Sequence, residues 1–367
     1  MAQIELGHIS KAFNTSQVLR DLSLNVEKGE IVTLFGPSGT GKTVLLRLLA
    51  GIETPDTGSI RMRGHDVSQS PPELRALGMA FQNFALFPHM SARENIASAL
   101  NARPAKAGDI NARVEAVAAL LKITHVLGHA PRELSNGQKQ RTALARALVA
   151  DPDILLLDDP LRNVDAKLRY EMRLELPALL KRAGSTVLYV TQDYKEAMAL
   201  GDRIAVLLDG TIAQFDTPAK IYQQPASLGV ARLFGDPTLN LIDVEPHMAN
   251  GTPHMVVGGV SLPLPDAFAG AAGGHFTLGL RPEALALADR PGPDTLAVEL
   301  AAITPLNEKS VLFMTMRDGR ELLASEAGDR ELARQPGPAH LTIDPAAILL
   351  FERGSGRRFV PKTCQGA

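Results

Sequence analysis

Two rhythms of apolar residues run along the chain. Through about residue 235, short unbroken apolar runs alternate with longer helical stretches: Ile31 to Phe35, Ile154 to Leu157, Val187 to Thr191 and Ile204 to Leu208 are each four or five residues long. An unbroken apolar run suits a strand covered on both faces, as in a parallel sheet flanked by helices. The first three runs are each followed by a loop and a helical pattern, which predicts an α/β domain. A stretch rich in Ala, Leu, Arg and Glu, roughly Ser91 to Ala150, predicts a helical insert between the first two strands. Near Gly235 the rhythm changes. Thirteen of the 25 prolines lie beyond it, starting at Pro237, and break up the runs Met255 to Val257, Phe276 to Leu280, Ala297 to Leu300, Val311 to Met316, His340 to Ile343 and Ile348 to Phe351. That spacing predicts a small all-β domain of sandwich or barrel type.

Composition excludes little but sharpens the class. Hydrophobic residues at 45% and charged residues at 21% are ordinary for a globular chain. A formal net charge of −2 removes the bulk electrostatic case for nucleic acid as a partner. The single cysteine, Cys364, makes no internal disulfide, which fits a reducing compartment. The opening MAQIELGHIS lacks the basic stretch and apolar core of a secretion signal, and no run approaches about 18 apolar residues. The expectation is a cytosolic protein that reaches a membrane only through partners.

The strongest chemical motif is Gly36-Pro37-Ser38-Gly39-Thr40-Gly41-Lys42-Thr43, which satisfies G-x-x-x-x-G-K-[ST]. It follows the run Ile31 to Phe35 and opens the helical pattern Val44 to Ala50, the context a phosphate-binding loop requires. Its glycines let backbone N–H groups curl around a phosphate, to which the helix dipole adds positive potential. Lys42 would neutralise β- and γ-oxygens and the Thr43 hydroxyl would ligate Mg²⁺. The loop alone leaves kinases, GTPases, helicases and transporters open.

A second motif narrows the choice. Leu134-Ser135-Asn136-Gly137-Gln138-Lys139-Gln140-Arg141, shortly before Asp158, resembles the signature of ABC transporter ATPases, usually LSGGQ. Ser135 with Gln138 three residues on also reads as a capping box, and both readings can hold, because the cap aims the helix amides. In that family Ser135, Gly137 and Gln138 would face the γ-phosphate of a nucleotide on the opposite subunit. The resemblance implies further roles in register: Phe13 stacking on adenine, Gln82 reaching Mg²⁺ and facing the membrane partner around Asn83 to Pro88, Asp158 in the Mg²⁺ shell, and Asp165 at the dimer interface.

Beyond the motor, Phe234-Gly235-Asp236-Pro237-Thr238-Leu239-Asn240 and Leu278-Gly279-Leu280-Arg281-Pro282-Glu283 resemble elements of the maltose-type importer ATPases. The implied architecture is an α/β P-loop NTPase, with a RecA-like core and a helical subdomain at about 88–150, spanning residues 1–235. A regulatory, TOBE-like, OB-like β-barrel follows over 236–367. Arg281 is read first as a side chain that stabilises that barrel. The implied partners are a second ABC ATPase subunit, two membrane permease subunits and, indirectly, a solute-binding protein. The implied place is the inner face of the cell membrane. The leading solute class is a carbohydrate, polyol or glycerol-type compound; the alternatives are a polyamine, iron or anion importer, or a nucleotide-dependent regulator with little hydrolysis.

The sequence departs from this family at two catalytic positions. Asp159 stands where the family has a Glu that polarises the attacking water, and the lost methylene draws the carboxylate back by about 1.5 Å. Gln192 stands where the family has a His; its amide can donate a hydrogen bond but cannot carry the imidazolium charge. Arg162 replaces a small residue and Asn136 a Gly. With Lys42, Thr43, Gln82 and Asp158 kept, the pattern is one of retained ATP binding and weakened hydrolysis. A heterodimer with a consensus-type ATPase is the leading expectation, in which the partner's loop works against this chain's signature; a slow homodimer is the alternative.

Overall fold

The computed structural model describes residues 2–81, 83–101, 110–162, 164–306, 309–327 and 335–361. These divide by contact into two units, Met1–Pro218 and Ala219–Ala367.

The first unit is built on two sheets. Strands β1 (Ala2–Phe13), β2 (Ser16–Glu27), β4 (Thr57–Met62) and β5 (His65–Asp66) form an antiparallel sheet in the order β2-β1-β4-β5. The central sheet has the order β10-β9-β3-β8-β7-β6 and comprises β3 (Ile31–Phe35), β6 (Gly78–Ala80), β7 (Ile154–Asp158), β8 (Thr186–Thr191), β9 (Arg203–Leu208) and β10 (Thr211–Asp216). Its strands are parallel except for β10, which runs antiparallel to β9.

The helices of this unit are α1 (Lys42–Ala50), α2 (Pro72–Arg75), α3 (Ala92–Asn101), α4 (Ile110–Leu120), α5 (Asn136–Leu148), α6 (Ala166–Ala183) and α7 (Tyr194–Leu200). Every residue of β3, β7 and β8 is buried. The strand period of two explains why: alternate side chains enter different cores. Ile31, Leu155, Leu157, Val187 and Tyr189 pack with residues of α3 to α6, whereas Val32, Leu34, Ile154, Leu156, Leu188 and Val190 pack with α1 and the N-terminal sheet.

The parallel register fixes where chemistry can occur. Phe35 pairs with Thr191, and Asp158 with Val190, so the loop after β3, the end of β7 and the loop after β8 all emerge at one edge. Open α/β sheets bind ligands outside the carboxyl ends of their strands. The helix leaving β3 is braced from behind by Arg75, which is fully buried and donates to the carbonyls of Leu48 (2.6 Å), Leu49 (3.0 Å), Ser70 (2.9 Å) and Ser68 (3.4 Å).

In the second unit, the short helices α8 (Pro218–Gln223) and α9 (Leu228–Arg232) precede an all-β region. One sheet joins β11 (Asn240–Val244), β15 (Phe276–Leu280) and β21 (Leu349–Glu352). A second joins β12 (His247–Ala249), β13 (Thr252–Val257) and β14 (Val260–Pro263). A third has the order β16-β20-β17-β18-β19, from β16 (Leu285–Ala288), β17 (Leu296–Leu306), β18 (Lys309–Met316), β19 (Glu321–Ala327) and β20 (Gly337–Ile343). One apolar core, including Ile242, Val257, Leu278, Leu312, Leu341 and Leu350, draws on all three sheets.

The division at Pro218 falls upstream of 235, where the sequence pattern changes. The intervening helices belong with the β region by packing: Ala231 shares a small core with Leu239, Leu349 and Phe351, and the Leu228 N–H donates to the Gly356 carbonyl (2.8 Å). Among the described residues, no helix is long and apolar enough to cross a membrane.

Candidate functional site

The loop from Gly36 to Thr43 owes its shape to its glycines. A Cβ on Gly36 would lie 2.3 Å from the Leu207 carbonyl oxygen, and one on Gly41, at φ 102°, would lie 2.8 Å from Leu19 and 2.9 Å from Val18. Gly39, at φ 82°, has open space where a Cβ would stand. Gly41 caps α1 without any side-chain hydrogen bond. The amides of the first helical turn are therefore offered to an anion rather than consumed by a cap.

Lys42 is buried, and its ammonium donates to the carbonyls of Gly36 (2.7 Å) and Pro37 (2.5 Å), with the Thr40 hydroxyl at 3.5 Å. Burial lowers its pKa, opposed by the charges of Asp159 and Asp158. From the end of β7, the Asp158 carboxylate stands 3.5 Å from the Thr43 hydroxyl and is pushed up by burial. Asp159 is also buried, in the left-handed region at φ 47°, with its N–H donating to the Val190 carbonyl (2.9 Å). Burial raises its carboxyl to about 6, against the pull of Arg162, whose guanidinium lies 3.8 Å away. The Ser38 hydroxyl donates to Gln192 Oε1 at 2.6 Å, which leaves the Gln192 amide N–H groups for other acceptors.

Gly39, Gly41, Lys42, Thr43, Asp158, Asp159 and Gln192 thus line one cleft of about 290 Å³, together with Val18, Val44 and Val190. A neighbouring cavity of about 610 Å³ shares Thr43 and Asp158 with it and is bordered by Phe81 and Asn83. Gln82 itself lies outside the described residues. The donor set suits a nucleoside polyphosphate: uncapped helix amides, a glycine-lined cradle and one buried ammonium at its floor. The hydroxyl and carboxylate of Thr43 and Asp158 are near enough to share one divalent ion.

Other expected residues lie elsewhere in the first unit. Ser135 caps α5 in a full capping box: its Oγ accepts from the Gln138 N–H (3.3 Å), and its own N–H donates to Gln138 Oε1 (2.9 Å). Neither these residues nor Gly137 lines the cleft. Phe13 ends β1, 39% exposed as a residue, with the Lys11 ammonium 5.4 Å from its ring centroid. Asp165 precedes α6, its carbonyl accepting from the Arg169 N–H (2.8 Å).

Two features escape a linear reading. Val18 reaches the cleft from β2, and only tertiary packing brings it there. Behind Gln192, the hydroxyls of Tyr189 and Thr191 both donate to buried Glu196 at 2.9 Å, and burial raises that carboxyl to about 7. A Glu in the first turn of α7, four residues after Gln192, was the available signal.

Comparison with known proteins agrees with this geometry. A family profile described as ABC transporter matches residues 19–162. The chain is similar to the sn-glycerol-3-phosphate import ATP-binding protein UgpC of Ruegeria sp. (strain TM1040): 44% identity over 363 residues, covering 98% of this chain and 99% of the relative. It is similar also to the osmoprotective compounds uptake ATP-binding protein GgtA of Synechocystis sp., 40% identical over 364 residues, covering 96% and 98% of the two chains. Among solved structures, the dimeric ATP-binding cassette MJ0796 in a post-hydrolysis state bound to ADP and Pi aligns at TM-score 0.54 and 29% identity. That match covers 59% of this chain and 98% of the cassette.

Proposed function

The chain belongs to the ATP-binding proteins of ABC transporters, and from that premise we propose that it energises import of a small polar solute of the carbohydrate, polyol or glycerol-phosphate type, as a hydrolytically weakened half of an ATPase heterodimer. The solute class is supported by relatives named for sn-glycerol-3-phosphate import and for uptake of osmoprotective compounds. The weakened half is supported by Asp159 and Gln192, the two departures from the family pattern, facing the same cleft as Lys42, Thr43 and Asp158.

In this reading the cleft binds ATP with Mg²⁺, and the bound ion supplies charge neutralisation at the phosphates. Lys42 leaves the Gly36 and Pro37 carbonyls to meet phosphate oxygens, and the α1 amides receive the remainder of the charge. Thr43, Asp158 and Gln82 hold the ion, and Phe13 stacks on the base. Asp159 is the group placed to orient water, held short of its task by one methylene and drawn toward Arg162. Gln192 offers only a neutral amide, tethered to Ser38. Ser135, Gly137 and Gln138 complete the partner's site across the dimer, beside Asp165.

A consensus-type second ATPase would hydrolyse at its own loop against this chain's signature. ATP-driven closure of the pair would then move two permease subunits at the cytoplasmic face of the membrane, fed from outside by a solute-binding protein. The C-terminal unit is assigned a regulatory role.

Affinity purification of the tagged chain from membranes with MgATP tests this. The expected result is a second ATPase at equal stoichiometry, with Glu and His at the positions of Asp159 and Gln192, and two permeases. Recovery of this chain as the only ATPase, with full turnover, would refute the asymmetric assignment.

A further inference from the structure

The C-terminal unit holds a cavity of about 570 Å³ that none of the roles above uses. Its size lies within the range of about 300–1,000 Å³ typical of small-molecule sites. Phe268 and Ile348, both buried, give it an apolar wall.

The charged groups around that wall are engaged, with one exception. Arg281, which the sequence pattern singles out, acts as a brace: its two terminal nitrogens donate to the carbonyls of Phe234 (2.5 Å) and Tyr222 (2.6 Å), and its guanidinium stacks 3.5 Å from the Tyr222 ring centroid. Glu283 accepts the Tyr222 hydroxyl, and Asp344 accepts the Ala346 N–H at 2.9 Å.

Arg358 is the exception. Its main chain is fixed by a bridge to Phe351 and an N–H donated to the Ala226 carbonyl (3.1 Å). Its side chain lines the cavity half-buried, with no hydrogen-bond or ionic partner among the described residues, and burial lowers its pKa. A cation drawn out of water without a counter-charge is costly, and a bound anion removes that cost.

We propose that this cavity binds a small organic anion, a carboxylate or phosphate monoester on an apolar body, whose charge pairs with Arg358 while its body packs on Phe268 and Ile348. The site is independent of the nucleotide cleft and does not rest on the assignment of the catalytic residues.

Calorimetric titration of the full chain with phenyl phosphate and with phenylacetate tests it, with benzyl alcohol as the neutral control and inorganic phosphate as the control without an apolar body. At least one organic anion is expected to bind saturably, at least tenfold more tightly than either control, and the two arms identify the preferred headgroup. Arg358→Gln should weaken that binding at least tenfold. Ala347→Phe, which places a ring in the cavity wall, should abolish it. Both variants should retain the parent's thermal midpoint and nucleotide affinity. A saturating non-hydrolysable ATP analogue should leave anion binding unchanged. The proposal is overturned by failure of both organic anions to bind the parent chain, by equal binding to Arg358→Gln, by displacement with the nucleotide analogue, or by inorganic phosphate binding as tightly as phenyl phosphate.

Discussion

Replacing Asp159 by Glu should raise the chain's own rate of ATP hydrolysis. Two contacts hold the present carboxylate back: the Asp159 N–H bonds the Val190 carbonyl at 2.9 Å, and one carboxylate oxygen faces Arg162 at 3.8 Å. The main chain, anchored to β8, cannot advance to recover a missing methylene of about 1.5 Å. Misplacing a reacting group by about 1 Å can cost about 10²-fold, and a positioned general base contributes about 10²–10⁴-fold. Asp159→Glu is therefore expected to raise kcat by about 10²-fold, equivalent to about 2.7 kcal/mol of barrier. Nucleotide affinity should barely move, because the phosphate contacts proposed above lie on the loop and on α1. Adding Gln192→His should raise kcat again by restoring a charge beside the phosphates.

The left-handed conformation at position 159 suits Asp better than Glu, so the variant should also melt at a slightly lower temperature. The assay is steady-state phosphate release with MgATP over a range of protein concentrations, since in the proposed dimer each site needs a facing signature. Binding of a non-hydrolysable analogue is measured alongside. Equal kcat for parent and variant at equal nucleotide affinity would refute the reasoning, and Asp159 would then support attack from where it stands.

Three further outcomes follow from the packing. Glu196, raised to about 7 from an ordinary 4.5, keeps its proton in the folded chain at pH values where the unfolded chain has released it. Glu196 should contribute a fall in stability of about 3 kcal/mol as pH rises from about 4.5 to 7, and Glu196→Gln should reduce the difference between urea titrations at pH 5 and pH 8, leaving the part of the same sign that Asp159, raised to about 6, supplies. An unchanged slope would assign the pH dependence elsewhere. Arg75→Met removes a donor from four carbonyls, of which that of Leu48 keeps the Gly51 N–H, and should cost at least about 3 kcal/mol in the same titrations. Gly41→Ala, strained at φ 102° and colliding with Val18 and Leu19, should destabilise the chain by about 2 kcal/mol and abolish fluorescent-nucleotide binding. Retained affinity would mean that the loop tolerates a different path.

The central strands were legible because burial on both faces makes β3, β7, β8 and β9 read as unbroken apolar words. The N-terminal sheet was not. Its strands bury one face, as in Leu22, Leu24 and Val26 alternating with exposed Ser23, Asn25 and Glu27, and register shifts along β1 blur even that alternation. Strand β6, Gly-Met-Ala, carries no strand signal and exists because β7 pairs with it. The same division holds at the site. Contiguous residues such as Gly36 to Thr43 announce themselves, as does an Asp ending an apolar run. Val18 from β2, and the Glu196 group behind the cleft, depend on chain segments meeting from afar. The pairing of Arg162 with Asp159 turns on side-chain direction within a turn, which spacing alone does not give.

Because the cleft draws on the loop after β3, the end of β7 and the loop after β8, it exists only when three distant stretches of chain have been laid side by side in register. A partly assembled sheet offers nucleotide no more than a fragment of its seat. Nucleotide therefore discriminates finished from unfinished molecules during maturation. At a concentration about 1,000 times its Kd it would favour the completed sheet by about 4 kcal/mol, making the cell's own energy supply a folding ligand for this chain.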